Sequence, residues 1–294
     1  MAQRIFRQVW SSISNLNPND VRSLAEQSVA IRLHHRDENV LDEMERFFCP
    51  SDLSRDRQLE ILNHLFAAGD TDAPAHCDIE VYQEGMARPS GTFVYRRDQP
   101  SRLISDILNA KEDLSVPLAR IFPPFRSQVI ERIIHTVSKE NALFSLATAL
   151  PDIIPNVMQL PWAVGEFASD TAFLTVNQVR MAFLIAAASD HTIGYGDQKG
   201  EIGSILAGAF GWRAIARELV GKIPFGGGLI PKAAVAYAGT FLAGRVLERL
   251  YREGHNLTRE ERKGAYDSAF ETGKRVAREL LDAVKSRTTA KTPA

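Results

Sequence analysis

The chain has few cysteines and almost no excess of charge of either sign. Its 294 residues include 2 cysteines, Cys49 and Cys77, which do not have the CxxC spacing of redox or zinc motifs. Two cysteines are too few for a disulfide framework, so we expect both to be reduced thiols in a cytoplasmic protein. The 35 basic and 36 acidic residues leave a formal net charge of −1. Without a strong basic excess, we expect no nucleic-acid partner.

The chain also lacks long apolar runs. A simple transmembrane helix needs about 20 predominantly apolar residues, whereas the longest uncharged runs here, 153–165 and 233–244, are shorter and the first contains two prolines. Near the N-terminus, Arg4 and Arg7 are not followed by a continuous apolar run, so we expect no signal peptide. We therefore predict a cytoplasmic location, and association with the inner face of the membrane stays open.

Glycine and other small residues are concentrated around one turn, residues 221–232 (GKIPFGGGLIPK). Proline lacks a backbone N–H and glycine has the largest entropy cost in a helix, so any helix ends here. Small residues recur every four positions on both sides of the turn: Gly203, Ala207 and Gly211 before it, and Ala236, Thr240 and Gly244 after it. This spacing places each set on one helix face, where backbones approach closely, and predicts a helical hairpin over 202–254.

The hydrophobic periodicity of the remaining chain is mainly helical. It predicts a helix after Pro100 that buries Leu103, Ile104, Ile107 and Leu108, and a long helix over 125–150. We predict a mainly α fold, a multi-helix bundle around the Gly-rich helical hairpin, with at most one small β-hairpin near 78–96. A capping box, Thr258 with Glu261, marks the start of the last helix. The predicted regions are an N-terminal helical region (1–122), a helical core (123–257), a C-terminal helix packing on that core (258–285) and a disordered tail (286–294).

Two helices are predicted before residue 36. Residues 5–16 have one apolar face, which either docks on the body of the protein or lies on a membrane surface as an anchor. Asn17-Pro18 is typical of a helix start. Val21, Ala25, Val29 and Leu33 then follow at helical spacing, which predicts one helix ending near His34.

Known catalytic and nucleotide-binding motifs do not fit the chain. A Walker motif ending at Gly221-Lys222 needs glycine at position 216 and serine or threonine at 223, where the chain has Ala216 and Ile223. The seven histidines lack metal-ligand spacing, and no Gly-x-Ser-x-Gly sequence occurs. We predict no catalytic, cofactor-binding or metal site and no cofactor. An enzyme with an undetected cleft stays open as a third alternative; its cleft would be lined by Glu166, Asp170 and Arg180.

Charged residues within apolar segments are more informative, because a buried charge needs a partner, solvent or a lipid headgroup. Basic and apolar residues around the hairpin turn form a candidate interaction surface: Arg213, Arg217, Lys222, Phe225, Leu229 and Lys232. A basic rim around apolar residues fits anionic lipid or an acidic protein partner. The alternative is pairing within the protein, for example between Glu218 and Lys222 at i, i+4.

Four segments in order resemble a known family: residues 174–181 (LTVNQVRM), 211–214 (GWRA), 222–228 (KIPFGGG) and 233–244. Together they are similar to DUF697, a bacterial family of unknown function found alone or fused to GTPase domains, over roughly residues 141–254. The resemblance implies an α-helical module that is membrane-associated or linked to a GTPase, with no established activity and no catalytic residues. This chain has no GTPase domain, so any GTPase partner would act in trans.

The sequence thus predicts a non-enzymatic helical module that associates peripherally with a membrane, with a GTPase acting in trans, or with both. The alternative, from a different class, is a soluble cytoplasmic scaffold or self-associating protein without membrane contact. The two differ in whether the small-residue faces and the hairpin turn are internal or exposed. The sequence leaves the oligomeric state and the partner open.

Overall fold

The computed structural model describes residue 13 and residues 16–148, 170–205 and 228–289. The chain divides into two compact units. We call residues 19–131 with 186–192 the α/β unit. We call residues 1–18, 132–185 and 193–294 the helical unit.

The first part of the chain alternates short helices with short strands. In chain order it contains α1 (Pro18–Ala25), β1 (Ile31–His34), α2 (Glu38–Phe48), α3 (Arg55–Leu62), β2 (Leu65–Ala67), β3 (Ile79–Gln83), β4 (Phe93–Tyr95), α4 (Pro100–Ala110) and α5 (Ser115–Ile121). The strands form one parallel sheet in the order β2-β1-β3-β4. The region predicted to be helical, with at most one small β-hairpin, therefore contains a small α/β fold.

This sheet corrects the predicted β-hairpin. Strands β3 and β4 are neighbours, with Val81 opposite Phe93, but they run parallel. Parallel strands cannot be joined by a tight turn, so residues 84–92 form a crossover instead. The strands near 78–96 were predicted, but their pairing was wrong.

The helix predicted to extend from Pro18 to His34 is also wrong beyond Ala25, where α1 ends. The following segment is β1, the strand between β2 and β3. Ile31 and Leu33 are buried whereas Arg32 and His34 are partly exposed, which is the two-residue period of a strand. The four-residue spacing of the apolar residues in this segment fits both a helix and a strand, and pairing with distant strands decides between them.

Helices cover the apolar face of this sheet. Helices α2, α3 and α4 contact β1, β2 and β4 respectively. Helix α4 buries the four residues predicted to be its inner face: Leu103, Ile104, Ile107 and Leu108. Burying four aliphatic side chains contributes on the order of 6–12 kcal/mol before entropy is counted, so α4 is a main support of the sheet.

The helical unit contains most of α6 (Arg126–Ala147) and α7 (Asp170–Ala188), and all of α8 (Leu229–Glu253) and α9 (Arg259–Thr289). Gly254 ends α8 with a positive φ, in the left-handed conformation that glycine adopts easily. The core of this unit joins α6, α8 and α9 through Ala142, Leu146, Ala233, Tyr237, Ala238, Ala269, Val276 and Ala277. Helix α9 continues to Thr289, beyond the predicted end at 285.

The small-residue face of α8 packs closely against α6. A Cβ on Gly244 would lie 2.6 Å from Ile134 Cγ1, whereas a Cβ on Gly203 would meet no atom of the described residues within 4 Å. Close packing among the described residues therefore occurs at Gly244 and not at Gly203, which lies on the other predicted arm. Of the predicted turn (221–232), residues 221–227 lie outside the described residues, as do residues 206–220 of the first arm, and residues 229–232 belong to α8 rather than to a turn.

The end of the predicted N-terminal helix contacts the helical unit. Ile13 is buried, and its carbonyl oxygen accepts a hydrogen bond from the Tyr195 hydroxyl. The same hydroxyl lies 2.7 Å from the Leu16 carbonyl oxygen. At Ile13 the apolar face is therefore docked on the protein, and residues 1–12 lie outside the described part.

The predicted capping box of α9 is confirmed. The Thr258 backbone N–H donates to Glu261 Oε2 at 2.7 Å, and the Glu261 N–H donates to Thr258 Oγ1 at 3.2 Å. These hydrogen bonds lower the pKa of the Glu261 carboxyl from its ordinary 4.5. The ionised carboxylate is therefore the form that the folded state favours.

This geometry predicts an acid-dependent contribution to stability. Because the pKa of Glu261 is lower in the folded state, the contribution is present above pH 4.5 and is lost as pH falls through the lowered value. We expect Glu261→Gln to lower the melting temperature at neutral pH, with a difference that narrows below pH 4.5. Thermal denaturation, monitored by circular dichroism at several pH values, measures this difference in melting temperature, with Glu260→Gln as the control. A difference that is constant with pH would contradict the role of the charge.

Candidate functional site

Two residues of the predicted interaction surface lie in the described part of the chain. Leu229 begins α8 and, with Ile230, packs against the core of the helical unit. Lys232 Nζ lies 3.3 Å from Thr148 Oγ1, just after α6. The remaining four lie outside the described residues: Arg213, Arg217, Lys222 and Phe225.

The N-terminal end of α8 is electropositive. Its N-cap residue, Gly228, provides no side-chain hydrogen bond, and the first turn contains no acidic residue. The first N–H groups of a helix carry partial positive charge, which acidic side chains usually offset. Lys232 instead adds a positive charge here.

A polar network joins α6, α7 and α8 in the interior of the helical unit. Asn141 Nδ2 donates to Thr240 Oγ1 at 2.7 Å, and Gln178 Nε2 donates to the same hydroxyl at 3.1 Å. Asn177 Nδ2 donates to Asn141 Oδ1 at 3.0 Å. All four side chains are buried. Because a buried polar group without its partner is costly, this network fixes how the three helices align.

Arg180 lies at the edge of this network. Its Nη1 is 3.4 Å from Glu140 Oε2 and 3.2 Å from Asn177 Oδ1. Burial lowers the pKa of the Arg180 guanidinium, and the Glu140 carboxylate opposes that shift. A cleft lined by Arg180, Glu166 and Asp170 would have favoured the third alternative, an enzyme; the side chains of Glu166 and Asp170 lie outside the described part. Here it is the ion-pair partner of Glu140.

A cleft of about 380 Å³ lies between the second half of α8 and the first half of α9. It is lined by Phe241, Arg245, Glu248, Arg249, Arg252, Leu257, Glu261, Ala265 and Ser268. Arg245 Nη1 lies 2.7 Å from Glu248 Oε2, and its guanidinium carbon lies 5.0 Å from the centroid of the Phe241 ring. The cleft was not predicted from the sequence, although Arg245, Arg249 and Arg252 share one face of a helix.

The α/β unit has a polar cluster on the face of its sheet opposite the apolar side. Glu80 lies at the centre of this cluster: the His34 ring hydrogen-bonds to Oε2, and Arg32 Nη1 lies 3.2 Å from Oε1. The His34 ring also stacks on Tyr82, with a centroid separation of 4.0 Å. Arg32 and His34 alternate with buried Ile31 and Leu33, which is the signal that could have identified this face. The groups of this cluster satisfy one another.

The two thiols do not provide an activated nucleophile. Burial raises the pKa of both Cys49 and Cys77 from the ordinary 9.0, so both thiols are protonated at neutral pH. Both cysteines are free, as predicted. Among the residues that the structure describes, no group of three or more histidine, cysteine, aspartate or glutamate residues is placed to hold a metal ion.

No helix in the described ranges has both the length and the apolar character needed to cross a membrane. Comparison with known protein families, with curated proteins and with solved structures found no match to this chain. The resemblance to DUF697, and the GTPase partner that it implies, therefore stay predictions from the sequence.

Proposed function

We propose that this protein is a non-enzymatic module that associates peripherally with an anionic membrane surface. The contact would be made by the N-terminal end of α8 and the Gly-rich turn that precedes it. The observation that carries this proposal is the electropositive helix end, which has no side-chain cap and no acid in its first turn, and which bears Lys232.

The charges near this end are sufficient for reversible binding. A basic side chain close to an anionic bilayer contributes about 1 kcal/mol. Four basic residues of the candidate surface, Arg213, Arg217, Lys222 and Lys232, would together contribute on the order of 4 kcal/mol. Apolar residues of the turn, such as Phe225, would add contacts that salt does not screen. Such a surface fits a peripheral protein that binds and leaves the membrane.

The non-enzymatic part of the proposal is supported by how the reactive groups are used. In the described residues, His34 pairs with Glu80 and Arg180 pairs with Glu140. Both thiols have a raised pKa. Groups that satisfy one another in this way stabilise a fold, and these groups of the described ranges do not form a nucleophile–base pair.

Vesicle flotation tests the membrane contact. We expect the wild-type protein to float with phosphatidylcholine vesicles that contain phosphatidylserine, and not with phosphatidylcholine alone. Reversing two charges by Lys222→Glu with Lys232→Glu should weaken binding at least about ten-fold, because two attractions of about 1 kcal/mol each are lost and replaced by repulsion.

The matched control reverses the charges of two exposed lysines elsewhere in the helical unit, by Lys199→Glu with Lys263→Glu. It carries the same net charge as the test variant and should bind as the wild type does. If neither the wild type nor either variant floats, the membrane contact is wrong. Equal binding by all three would place the contact away from the α8 end.

A soluble scaffold is the second candidate, favoured by a different observation. Gly244 and Gly273 both make close contacts inside the helical unit, at 2.6 Å and 3.0 Å from a hypothetical Cβ. Small residues used in this way are internal to one chain and need no lipid. Absence of flotation, together with a discrete particle in solution, would favour this function.

A further inference from the structure

Strand β2 forms one edge of the parallel sheet in the α/β unit. Its inner neighbour is β1, and in the described part of the chain no strand pairs with its other side. The Ala68 N–H, just after β2, donates to the Leu33 carbonyl oxygen of β1 at 2.8 Å. Because successive residues of a strand direct their backbone groups to opposite sides, Leu65 and Ala67 direct theirs away from β1.

Three backbone groups of β2 are available to a further strand. The Leu65 N–H, the Leu65 C=O and the Ala67 N–H have no hydrogen-bond partner among the described residues. The Ala67 carbonyl oxygen is used by the turn that follows, where it accepts from the Asp70 N–H at 3.1 Å. The edge that a further strand can use therefore ends at this turn.

The β2 edge lacks the features that usually prevent another strand from pairing. Exposed edges are commonly protected by charged residues or by proline. Residues 61–69 (ILNHLFAAG) contain no proline and no aspartate, glutamate, lysine or arginine. At the opposite edge of the sheet, β4 is followed directly by Arg96, Arg97 and Asp98. Of the two edges, β2 is the unprotected one.

The helix beside this edge exposes apolar side chains. Helix α3 contacts β2, and Leu59 and Leu62 on this helix are 53% and 42% exposed. Among the described residues, these two are the large apolar side chains that are most open to water. They are three positions apart, so they are neighbours on the helix surface. An apolar surface thus adjoins unpaired backbone groups.

The charges around this edge are mostly negative. Residues 52–72 contain five acidic residues, all exposed, and two arginines, one of which, Arg57, lies 3.3 Å from the Asp190 carboxylate. The whole α/β unit has 21 acidic and 13 basic residues, which gives a formal charge of −8. Complementary charge favours a basic partner. A second copy of this chain would bring the same acidic surface to the edge and is therefore disfavoured.

We propose that β2 binds an extended segment of a protein partner, in which basic and apolar residues alternate, as a fifth strand of this sheet. Backbone hydrogen bonds to Leu65 and Ala67 would hold the segment, and its alternate side chains would give specificity. Its apolar side chains would cover Leu59 and Leu62, and its basic ones would meet the acidic residues around the edge. This surface lies in the α/β unit, so the inference does not depend on the proposed membrane contact.

Fluorescence anisotropy of the full chain with a labelled synthetic peptide of alternating lysine and valine tests the proposal. We expect saturable binding of this peptide and no binding of the matched peptide that has glutamate in place of lysine. Proline in place of the central valine should weaken binding about ten-fold, because the peptide loses a backbone donor and its extended pairing. If the wild-type protein does not bind the lysine peptide, or binds the glutamate peptide equally well, the proposal is overturned.

Substitutions on α3 locate the contact. Leu59→Arg with Leu62→Arg replaces both exposed leucines by positive charges and should weaken binding of the lysine peptide by about ten-fold or more. The matched control, Ser101→Arg with Ala110→Arg, adds the same charge at exposed positions of α4 and should bind as the wild type does. All four side chains are exposed, so both proteins should fold. Equal affinity of the two variants would place the peptide elsewhere and contradict the proposal.

A substitution at Ala67 tests the backbone contact. Ala67→Pro removes the outward N–H and none of the hydrogen bonds to β1, which is the position where an edge strand tolerates proline. Ala67→Thr keeps the N–H and suits a strand, so it is the control. We expect affinity to fall about ten-fold in Ala67→Pro and to be unchanged in Ala67→Thr. Equal affinity in two folded proteins would contradict strand addition, and the α3 variants decide the matter if Ala67→Pro does not fold.

Sedimentation velocity separates a partner segment from a second copy. We expect the wild type and the variant with Leu59→Arg and Leu62→Arg to have the same oligomeric state. A wild-type dimer that this variant dissociates, without binding of the lysine peptide, would overturn the proposal and assign the β2 edge to self-association.

Discussion

Replacing Asp190 by alanine is expected to lower the free energy of unfolding by about 2–3 kcal/mol, because it leaves three neighbouring guanidinium groups without their shared carboxylate. Within the α/β unit, Arg57 Nη1, Arg120 Nη2 and Arg126 Nη2 lie 3.3, 3.7 and 3.8 Å from the Asp190 carboxylate. Burial lowers the pKa of Arg126, and Arg57 and Arg120 lower it further, while Asp190 opposes them. The carboxylate therefore offsets repulsion among the arginines.

The backbone conformation at Asp190 determines which variant is a suitable control for this substitution. Asp190 has a positive φ, in a left-handed conformation that asparagine tolerates and alanine does not favour. Asp190→Asn keeps the shape and the backbone preference but removes the charge, so it separates the two contributions. Urea unfolding measures both variants. If Asp190→Asn is as stable as the wild type, the ion cluster does not stabilise the unit.

Replacing Gly273 by alanine is expected to lower the free energy of unfolding by about 1–2 kcal/mol, after the better helix propensity of alanine is allowed for. The added Cβ would lie 3.0 Å from Ala234 Cα, Ala234 O and Tyr237 Cβ. Two of these atoms belong to the backbone and cannot turn aside. Helices α8 and α9 would have to move apart, with loss of packing in the shared core.

The same helix offers a matched control. Gly264 is exposed on α9, and a Cβ there would meet no atom within 4 Å. Gly264→Ala should therefore stabilise the protein by about 0.5–1 kcal/mol, through helix propensity alone. Thermal or urea unfolding of the two variants should give changes of opposite sign. A stabilising Gly273→Ala would contradict the close approach of α8 and α9.

Features specified by nearby residues could be predicted from the sequence. The inner face of α4 and the capping box at Thr258 and Glu261 depend on residues three or four positions apart, and both are confirmed. Helix α6 was expected over 125–150 and is found at Arg126–Ala147. In each case one local period or one local hydrogen bond determines the element.

Features specified by distant residues could not be predicted. Strand β1 pairs with β2 and β3, and strands this short cannot be identified by their own period. The connections 68–78 and 84–92 contain no helix, so the strand–helix alternation that usually indicates a parallel sheet is incomplete. The sequence therefore favoured helices where the fold has strands.

The same distinction between residues that are close and residues that are distant in sequence applies to the candidate sites. The basic and apolar residues around the Gly-rich turn are close in sequence and were predicted together, and this surface stays a prediction because most of it lies outside the described residues. Thr240, by contrast, bonds Asn141 from another helix. The cleft needs α9 to fold back along α8 before Ser268 approaches the arginines. No periodicity in one segment contains that information.

Fractionation of cells that express the protein natively is the decisive test of the proposed peripheral membrane association. We expect recovery in the membrane pellet, retention through a high-salt wash because the apolar contacts of the turn persist, and release by carbonate. Recovery in the soluble fraction from the start would rule out peripheral association and favour the scaffold. Resistance to carbonate would also rule it out, since the protein would then be inserted in the bilayer.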